Sequence, residues 1–238
     1  MRTAARWGLI GSVLVIGSVL VIGAYARFVR PWALTWGATP EELARRLPGD
    51  DLVPKPLFDA TRAITIDAAP EQVWPWLVQA GVTRAGWYSY DLLDNLGHHS
   101  AQRIIPELQH LAPGDIVPMS PDGKQGIAVH SLAAPSSMVW SSPGETSWTW
   151  QLDTRADGTT RLITRIRSRM RLDPRSIAFY AVVELADIWM IRKMLLTLRE
   201  RAERGSGRAR YAAIVASPAI RLGPRPGSSQ HAAAGSTS

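Results

Sequence analysis

Cysteine is absent from all 238 residues. Disulfide scaffolds, redox dithiols, thiol nucleophiles and Cys-ligated zinc are thereby excluded, and either an oxidising or a reducing compartment would suit the chain. Acidic residues are missing from both ends: residues 1–36 hold four arginines and no acid, and residues 204–238 hold five arginines and no acid. Between them, residues 37–203 carry 18 Lys and Arg against all 20 Asp and Glu. The net charge of +7 therefore belongs to the ends, while the middle lacks the positive footprint of a nucleic-acid-binding domain. No nucleic-acid partner is expected. The HExxH, GxSxG, Walker A and GxGxxG signatures are also missing, which weighs against an enzyme without excluding one.

What is present is an ordinary globular mixture, 46% hydrophobic and 20% charged, enough for one domain with appendages. From Gly8 to Ala26 run 19 residues without a charge, bracketed by Arg2 and Arg6 on one side and Arg27 and Arg30 on the other. As a helix this run would span about 28 Å, close to the hydrocarbon thickness of a bilayer. Two readings stand. Ala24-Tyr25-Ala26 fits a signal-peptide cleavage pattern, whereas the length of the apolar run favours an uncleaved single-pass membrane anchor over residues 1–30. The flanks are nearly matched in charge, so the side on which the soluble part lies is not assigned. The run repeats IGSVLV, but Gly11, Gly17 and Gly23 would point in three directions around a helix, and only Gly8 and Ser12 have small-xxx-small spacing. A monomer is expected.

Residues 31–60 are expected to be a spacer with one short helix over 40–47: Thr39 as N-cap, Pro40 at the first position, Glu42 completing a capping box and Pro48 stopping it. TRAITIDAAP alternates as a strand, and PEQVWPWLVQAG follows as a helix with Val73, Leu77 and Ala80 on one face, Pro75 inside it and Gly81 at its end. In GWYSYDLLDN, Ser89 is placed to cap a second short helix with Asp91 in its first turn and Gly97 closing it. From Gly114 onward, DIVPM, GIAVHSL, SSMVWSS, TSWTWQL and RLITRIRSRM read as antiparallel strands separated by Pro- and Gly-containing turns. In the last strand Leu162, Thr164, Ile166, Ser168 and Met170 share one face and Arg161, Arg165, Arg167, Arg169 and Arg171 the other, with Ile163 among them; the expectation is a solvated arginine stripe paired with neighbouring acids, the alternative being contact with anionic lipid head groups. A long helix is predicted from about Asp173 to Arg204, with a disordered tail over 205–238. The folded domain would be 61–204.

The segments TRAITIDAAPEQVWPWLVQAG and GWYSYDLLDNL, the Gly114-Asp115-Ile116-Val117-Pro118 turn and strand, and IRKMLLTLRERAE together resemble a membrane-anchored branch of the START-like superfamily, also called SRPBCC, over roughly residues 35–203. The resemblance implies an α+β helix-grip fold: a curved antiparallel sheet around a long C-terminal helix, with two short helices after the first strand and one transmembrane helix ahead. It implies an internal hydrophobic cavity, since members include lipid and hormone carriers and polyketide cyclases. It brings no catalytic motif to carry over, and no cofactor. The function so implied is a membrane-tethered domain binding a hydrophobic small molecule or lipid. The alternatives are a cyclase- or dehydratase-like enzyme and a structural module with a filled core.

The candidate residues follow from polarity in apolar surroundings. Tyr88, Asp91 and Asn95 have helical spacing and are candidates to converge as a ligand handle; the competing reading is an aromatic wedge and helix cap. On the long helix Ile177, Tyr180, Ala181, Ile188, Ile191, Leu195 and Leu198 form an apolar face with Glu184 in its middle. A carboxylate there needs a cationic partner or a polar ligand group. Tyr88, Asp91, Tyr180, Glu184, Ile188 and Ile191 are therefore the expected ligand-binding residues, with no catalytic residue assigned. His98 and His99 are adjacent and diverge, so they read as solvated loop residues, and no metal site is expected.

Overall fold

The structure, a computed structural model, describes residues 17, 20, 23–120, 122–169 and 174–216, and in the last helix the side chains of 184 and 186–207. Among the described residues no helix is long and apolar enough to cross a membrane. Most of the expected anchor, and the tail beyond 216, lie outside them. A π-helical turn over Tyr25–Val29 leads into α1 (Arg30–Thr35), followed by α2 (Pro40–Ala44), β1 (Phe58–Ile66), α3 (Pro70–Val78) and α4 (Asp91–Asp94). Then come β2 (Ile116–Pro118), β3 (Gly126–Ala133), β4 (Ser137–Ser142), β5 (Thr146–Thr154), β6 (Thr160–Ser168) and α5 (Pro174–Ala216). All six strands form one curved antiparallel sheet in the order β1-β6-β5-β4-β3-β2. With α5 against its concave face, this is an α+β, helix-grip-like fold.

Alternation along the strands divides the molecule. Ile64 and Ile66 of β1, Met138 and Trp140 of β4, Trp150 and Leu152 of β5 and Leu162 of β6 enter the main core, joined by Val73 and Leu77 of α3 and by Ile188, Ile191, Leu195 and Leu198 of α5. Tryptophans dominate the concave face. Trp140 and Trp148 are cross-strand partners with ring centroids 5.3 Å apart, Trp148 also stacks on Trp87 at 5.8 Å, and Trp150 closes the group at 5.7 Å from Trp140. Such edge and stacked contacts add to the burial of large apolar rings. In α3, Pro70 takes the first turn, and Val73, Leu77 and Ala80 are all fully buried.

On the opposite face of the sheet the arginines pair with acids as expected, but the face is not solvated, and that part of the expectation is corrected. Arg161, Arg165 and Arg167 do point away from the core, as their register predicts, but the segment expected to be a spacer lies over them. Arg161 grips Glu42 with Nε–Oε1 at 2.7 Å and Nη2–Oε2 at 2.8 Å. Arg165, only 5% exposed, donates to Thr61 Oγ1, Asp50 Oδ2 and the carbonyls of Glu42, Leu43 and Arg45 at 2.7–3.1 Å. These carbonyls are the open C-terminal groups of α2, so the sheet itself supplies the cap that the helix lacks. That explains why α2 stops at Ala44 rather than at 47: its own capping box fixes the start, with Thr39 N–H on Glu42 Oε2 at 2.8 Å, and Arg165 draws the end out of helical geometry. Gly37 makes the approach possible, since at φ +74° a Cβ there would stand 2.1 Å from the Ala63 carbonyl.

Two further boundaries differ from expectation. Ser89 does not cap α4; Tyr90 occupies that position without a side-chain bond, and the Asp91 carboxylate instead ties the far end of the loop. Helix α5 continues past Arg204 to Ala216, so residues 205–216 belong to the helix and not to a disordered tail. Ser206 is buried, which shows that packing persists beyond Gly205.

The outer face makes a quantitative distinction. Arg165→Ala takes from the buried Asp50 carboxylate its nearer cation, leaving Arg167 at 3.5 Å and the Leu47 amide, and removes the cap of α2; it is expected to cost about 2–4 kcal/mol in denaturant unfolding. Breaking the exposed Arg45–Asp153 pair by Arg45→Ala is expected to cost under about 1 kcal/mol. Equal effects for the two would mean that the N-terminal segment is not held by this face.

Candidate functional site

The concave face is not filled. A cavity of about 400 Å³ lies between the sheet, the segment 87–94 and helix α5. The sheet contributes Ile127, Thr146, Trp148 and Ile166; the segment contributes Trp87, Ser89, Leu93 and Asp94; the helix contributes Asp187, Met190, Ile191 and Met194. Met119, following β2, completes the wall. Leu93 is 70% exposed and Met119 41%, so these two mark its mouth. The helix spacing i, i+3, i+4, i+7 gives a single stripe facing the space. The volume falls within the range of small-molecule sites, and a mostly apolar lining with a few polar groups is their usual chemistry.

Ser89, Asp94, Thr146 and Asp187 are the polar side chains of this lining, beside the indole of Trp148. The Trp148 ring, with its Nε1 donating to Thr164 Oγ1 at 2.8 Å, presents its carbon edges, and Thr146 bonds Ser168 at 3.0 Å. Asp187 pairs with Arg62 of β1, Oδ2–Nη2 at 2.6 Å. Burial raises the Asp187 carboxyl, Arg62 lowers it in part, and Glu184 adds to the rise. Asp94 is 9% exposed, and neither of its oxygens accepts a hydrogen bond. Burial raises this carboxyl as well; the Ser89 hydroxyl and Tyr90 amide, beside it but short of hydrogen-bond geometry, pull it down in part, and Asp91 pushes it up. Among the described residues no group of three or more His, Asp or Glu is arranged to hold a metal ion.

Of the expected ligand-binding residues whose side chains are described, only Ile191 lines this cavity. Tyr88 is fully buried behind it, in the left-handed region at φ 58°, with Trp76 edge-on at 6.1 Å and the Arg201 guanidinium 4.7 Å from its ring centre. Burial drives its phenol far above the ordinary range, with Gln79 and Arg201 opposing only in part, so it stays protonated and serves as a wedge. Asp91 closes its own loop, accepting from Asn95 Nδ2 at 2.9 Å and Ser100 N at 3.1 Å and pairing with His99 Nδ1 at 3.0 Å. Burial opposes its ionisation, but these bonds hold the carboxyl below its ordinary value. Asn95 accepts from the Trp87 amide at 3.1 Å, so the expected handle of Tyr88, Asp91 and Asn95 is a structural clasp behind the cavity wall. Ile188 packs in the core. Tyr180 belongs to the part of α5 whose side chains lie outside the described residues.

Glu184, 8% exposed, has a partner that the helix projection could not name. Arg30 reaches it from α1, Nε–Oε1 at 2.8 Å and Nη2–Oε2 at 3.1 Å, and the Tyr25 hydroxyl donates to Oε1 at 3.1 Å. The carboxylate is thus bonded to the N-terminal helix and does not line the cavity. Its neighbour one helical step on, Asp187, does. That stripe was legible as Asp187, Met190, Ile191 and Met194, but an apolar arc centred on Glu184 hides it.

Replacing Glu184 by Gln keeps the shape and removes the charge opposite Arg30. The expected result is destabilisation on the order of 1–3 kcal/mol, with binding at the cavity unchanged. Thermal melts with and without a bound apolar probe check this, and a loss of affinity without loss of stability would return Glu184 to the ligand site.

No family model and no curated protein matches the chain. Among solved structures, it is similar to the Polyketide_cyc-like protein Cgl2372 from Corynebacterium glutamicum at 18% identity and a TM-score of 0.40, over 62% of this chain and 91% of that one. It is also similar to the Aha1 dimer from Colwellia psychrerythraea at 16% identity and a TM-score of 0.34, over 61% of this chain and 96% of that one. Likenesses at these values carry no argument about function, and the helix-grip description stands on the strand order and on the placement of α5.

Proposed function

We propose that this chain is a START-like domain, tethered to a membrane through residues 8–26, that binds a hydrophobic small molecule or lipid in the cavity beneath α5. The observation that carries the reading is the roughly 400 Å³ pocket, lined mainly by tryptophan, methionine, leucine and isoleucine, that opens to the surface between the sheet, segment 87–94 and α5. A core built for stability alone would not leave that space, because each missing contact lowers stability. The methionines on α5 suit a variable occupant, since their unbranched chains adjust to irregular shapes. Leu93, exposed on α4 at the mouth, offers apolar surface on the route in. The tether is supported by the 19 uncharged residues from Gly8 to Ala26.

One observation favours a second reading, that of a cyclase- or dehydratase-like enzyme. Asp94 and Asp187 both face the cavity with carboxyls held above their ordinary values, first by burial, as proton-transfer groups commonly are. Binding is preferred because Asp187 already has Arg62 as its counter-ion.

Cavity filling tests the preferred reading. The full chain in a non-ionic detergent is titrated with N-phenyl-1-naphthylamine, a neutral fluorescent probe of apolar sites, alongside native mass spectrometry for any molecule that co-purifies. Wild type is expected to bind the probe saturably at one site. Met190→Trp is expected to fold with an unchanged melt and to lose at least about tenfold in affinity. Wild type that neither binds the probe nor carries a co-purifying molecule would refute the binding function.

A further inference from the structure

The two carboxylates on the cavity wall are not equivalent. Asp187 faces Arg62, a guanidinium that is 1% exposed and whose Nε also donates to the Ala33 carbonyl at 2.8 Å, so its charge is matched inside the fold. Asp94 has no such match. It is nine-tenths buried, the Ser89 hydroxyl and Tyr90 amide lie beside it without reaching hydrogen-bond geometry, and the charged neighbour that bears on it is another acid, Asp91. The Ser89 hydroxyl, which also lines the cavity, is equally without a partner.

A carboxylate in an apolar hollow is costly unless a cation or donors meet it, and removing the partner of a buried charge is among the more destabilising changes known. Neither Arg62 nor Arg30 fills that role for Asp94, since each is committed to a carboxylate on α5. The space that Asp94 faces is the open side from which a cation can reach it. An anionic head group, such as a fatty-acid carboxylate, would meet two acids on the wall and gain nothing from either.

Resting on the binding function proposed above, we infer that the ligand class is an apolar amine: a hydrophobic body lying against Trp87 and Trp148, with one protonated nitrogen delivered to Asp94 and Ser89. The ammonium supplies both the charge and the donors that these two side chains lack. Charge-assisted hydrogen bonds of this kind are shorter and roughly twice as strong as neutral ones. Asp187, already paired, lends the site a second negative field without requiring a second nitrogen.

The test compares three molecules that differ only at the head: octylammonium, octanol and octanoate, each displacing N-phenyl-1-naphthylamine from the full chain at neutral pH. Octylammonium is expected to bind roughly tenfold or more tighter than octanol, with octanoate weakest. Asp94→Asn, which keeps the side-chain shape, is expected to erase the advantage of the amine while leaving octanol within about twofold of wild type; Ser89→Ala reduces the same advantage in part. Octanol or octanoate binding as tightly as octylammonium would overturn the amine class while leaving the cavity function intact. So would an amine preference that survives in Asp94→Asn. Failure of the probe and all three compounds to bind would instead remove the binding function itself.

Discussion

Arg62 is the side chain on which the arrangement depends. It sits on the concave face of β1, between the buried Ala60 and Ile64 on the same face, and it is almost wholly removed from water. A guanidinium cannot give up its proton in such a place, so the fold has to bring acceptors to it. Two groups meet it: the Ala33 carbonyl of α1 accepts from Nε, and the Asp187 carboxylate of α5 stands 2.6 Å from Nη2 as its counter-charge. One buried cation thereby sets the first strand, the N-terminal helix and the long C-terminal helix relative to one another. Because Asp187 is held there, the residues three, four and seven positions later, Met190, Ile191 and Met194, turn toward the sheet and become the roof of the cavity.

The sheet is charged on its other side for a related reason. Arg161, Arg165 and Arg167 alternate with core residues along β6, and an ordinary exposed strand would leave them to solvent. Here residues 39–53 are laid across them, with Glu42 and Asp50 as counter-ions, and Ala63, Ile163 and Leu47 form a small second core between. The helix α2 has little apolar surface of its own. It is held by guanidinium-to-carbonyl bonds at its open end, which are stronger than neutral ones because the donor is charged. Both faces of the sheet are therefore covered, one by tryptophans and α5, the other by an ionic clasp.

Local signals in the sequence were reliable where the physics is local. The capping box at Thr39 and Glu42, the Pro70 start of α3, the strand limits set by Pro-Gly turns, and the inward and outward parity of β6 all follow from short-range geometry. Partners across the chain were not legible. The helical wheel identifies Glu184 as a carboxylate on an apolar arc but cannot say that Arg30 waits opposite, because that contact joins residues 154 positions apart. Residues 31–60 lack periodicity, so nothing in them announces that they cover the sheet; their fit depends on arginines more than a hundred residues later. Tyr88 and Asp91 drew attention as polar groups among aromatics, yet the left-handed turn at Tyr88 carries its ring behind the wall and leaves Ser89 and Asp94 facing the cavity.

The central claim is that the space beneath α5 receives an apolar guest. Amide hydrogen exchange of the full chain, with and without saturating N-phenyl-1-naphthylamine, tests it most directly, because it reports where a ligand stabilises the fold. Added protection should be concentrated in segment 87–94, in β5 around Trp148 and in α5 from Asp187 to Met194. Protection confined to residues 39–53 on the outer face, or spread evenly over the chain, would contradict it.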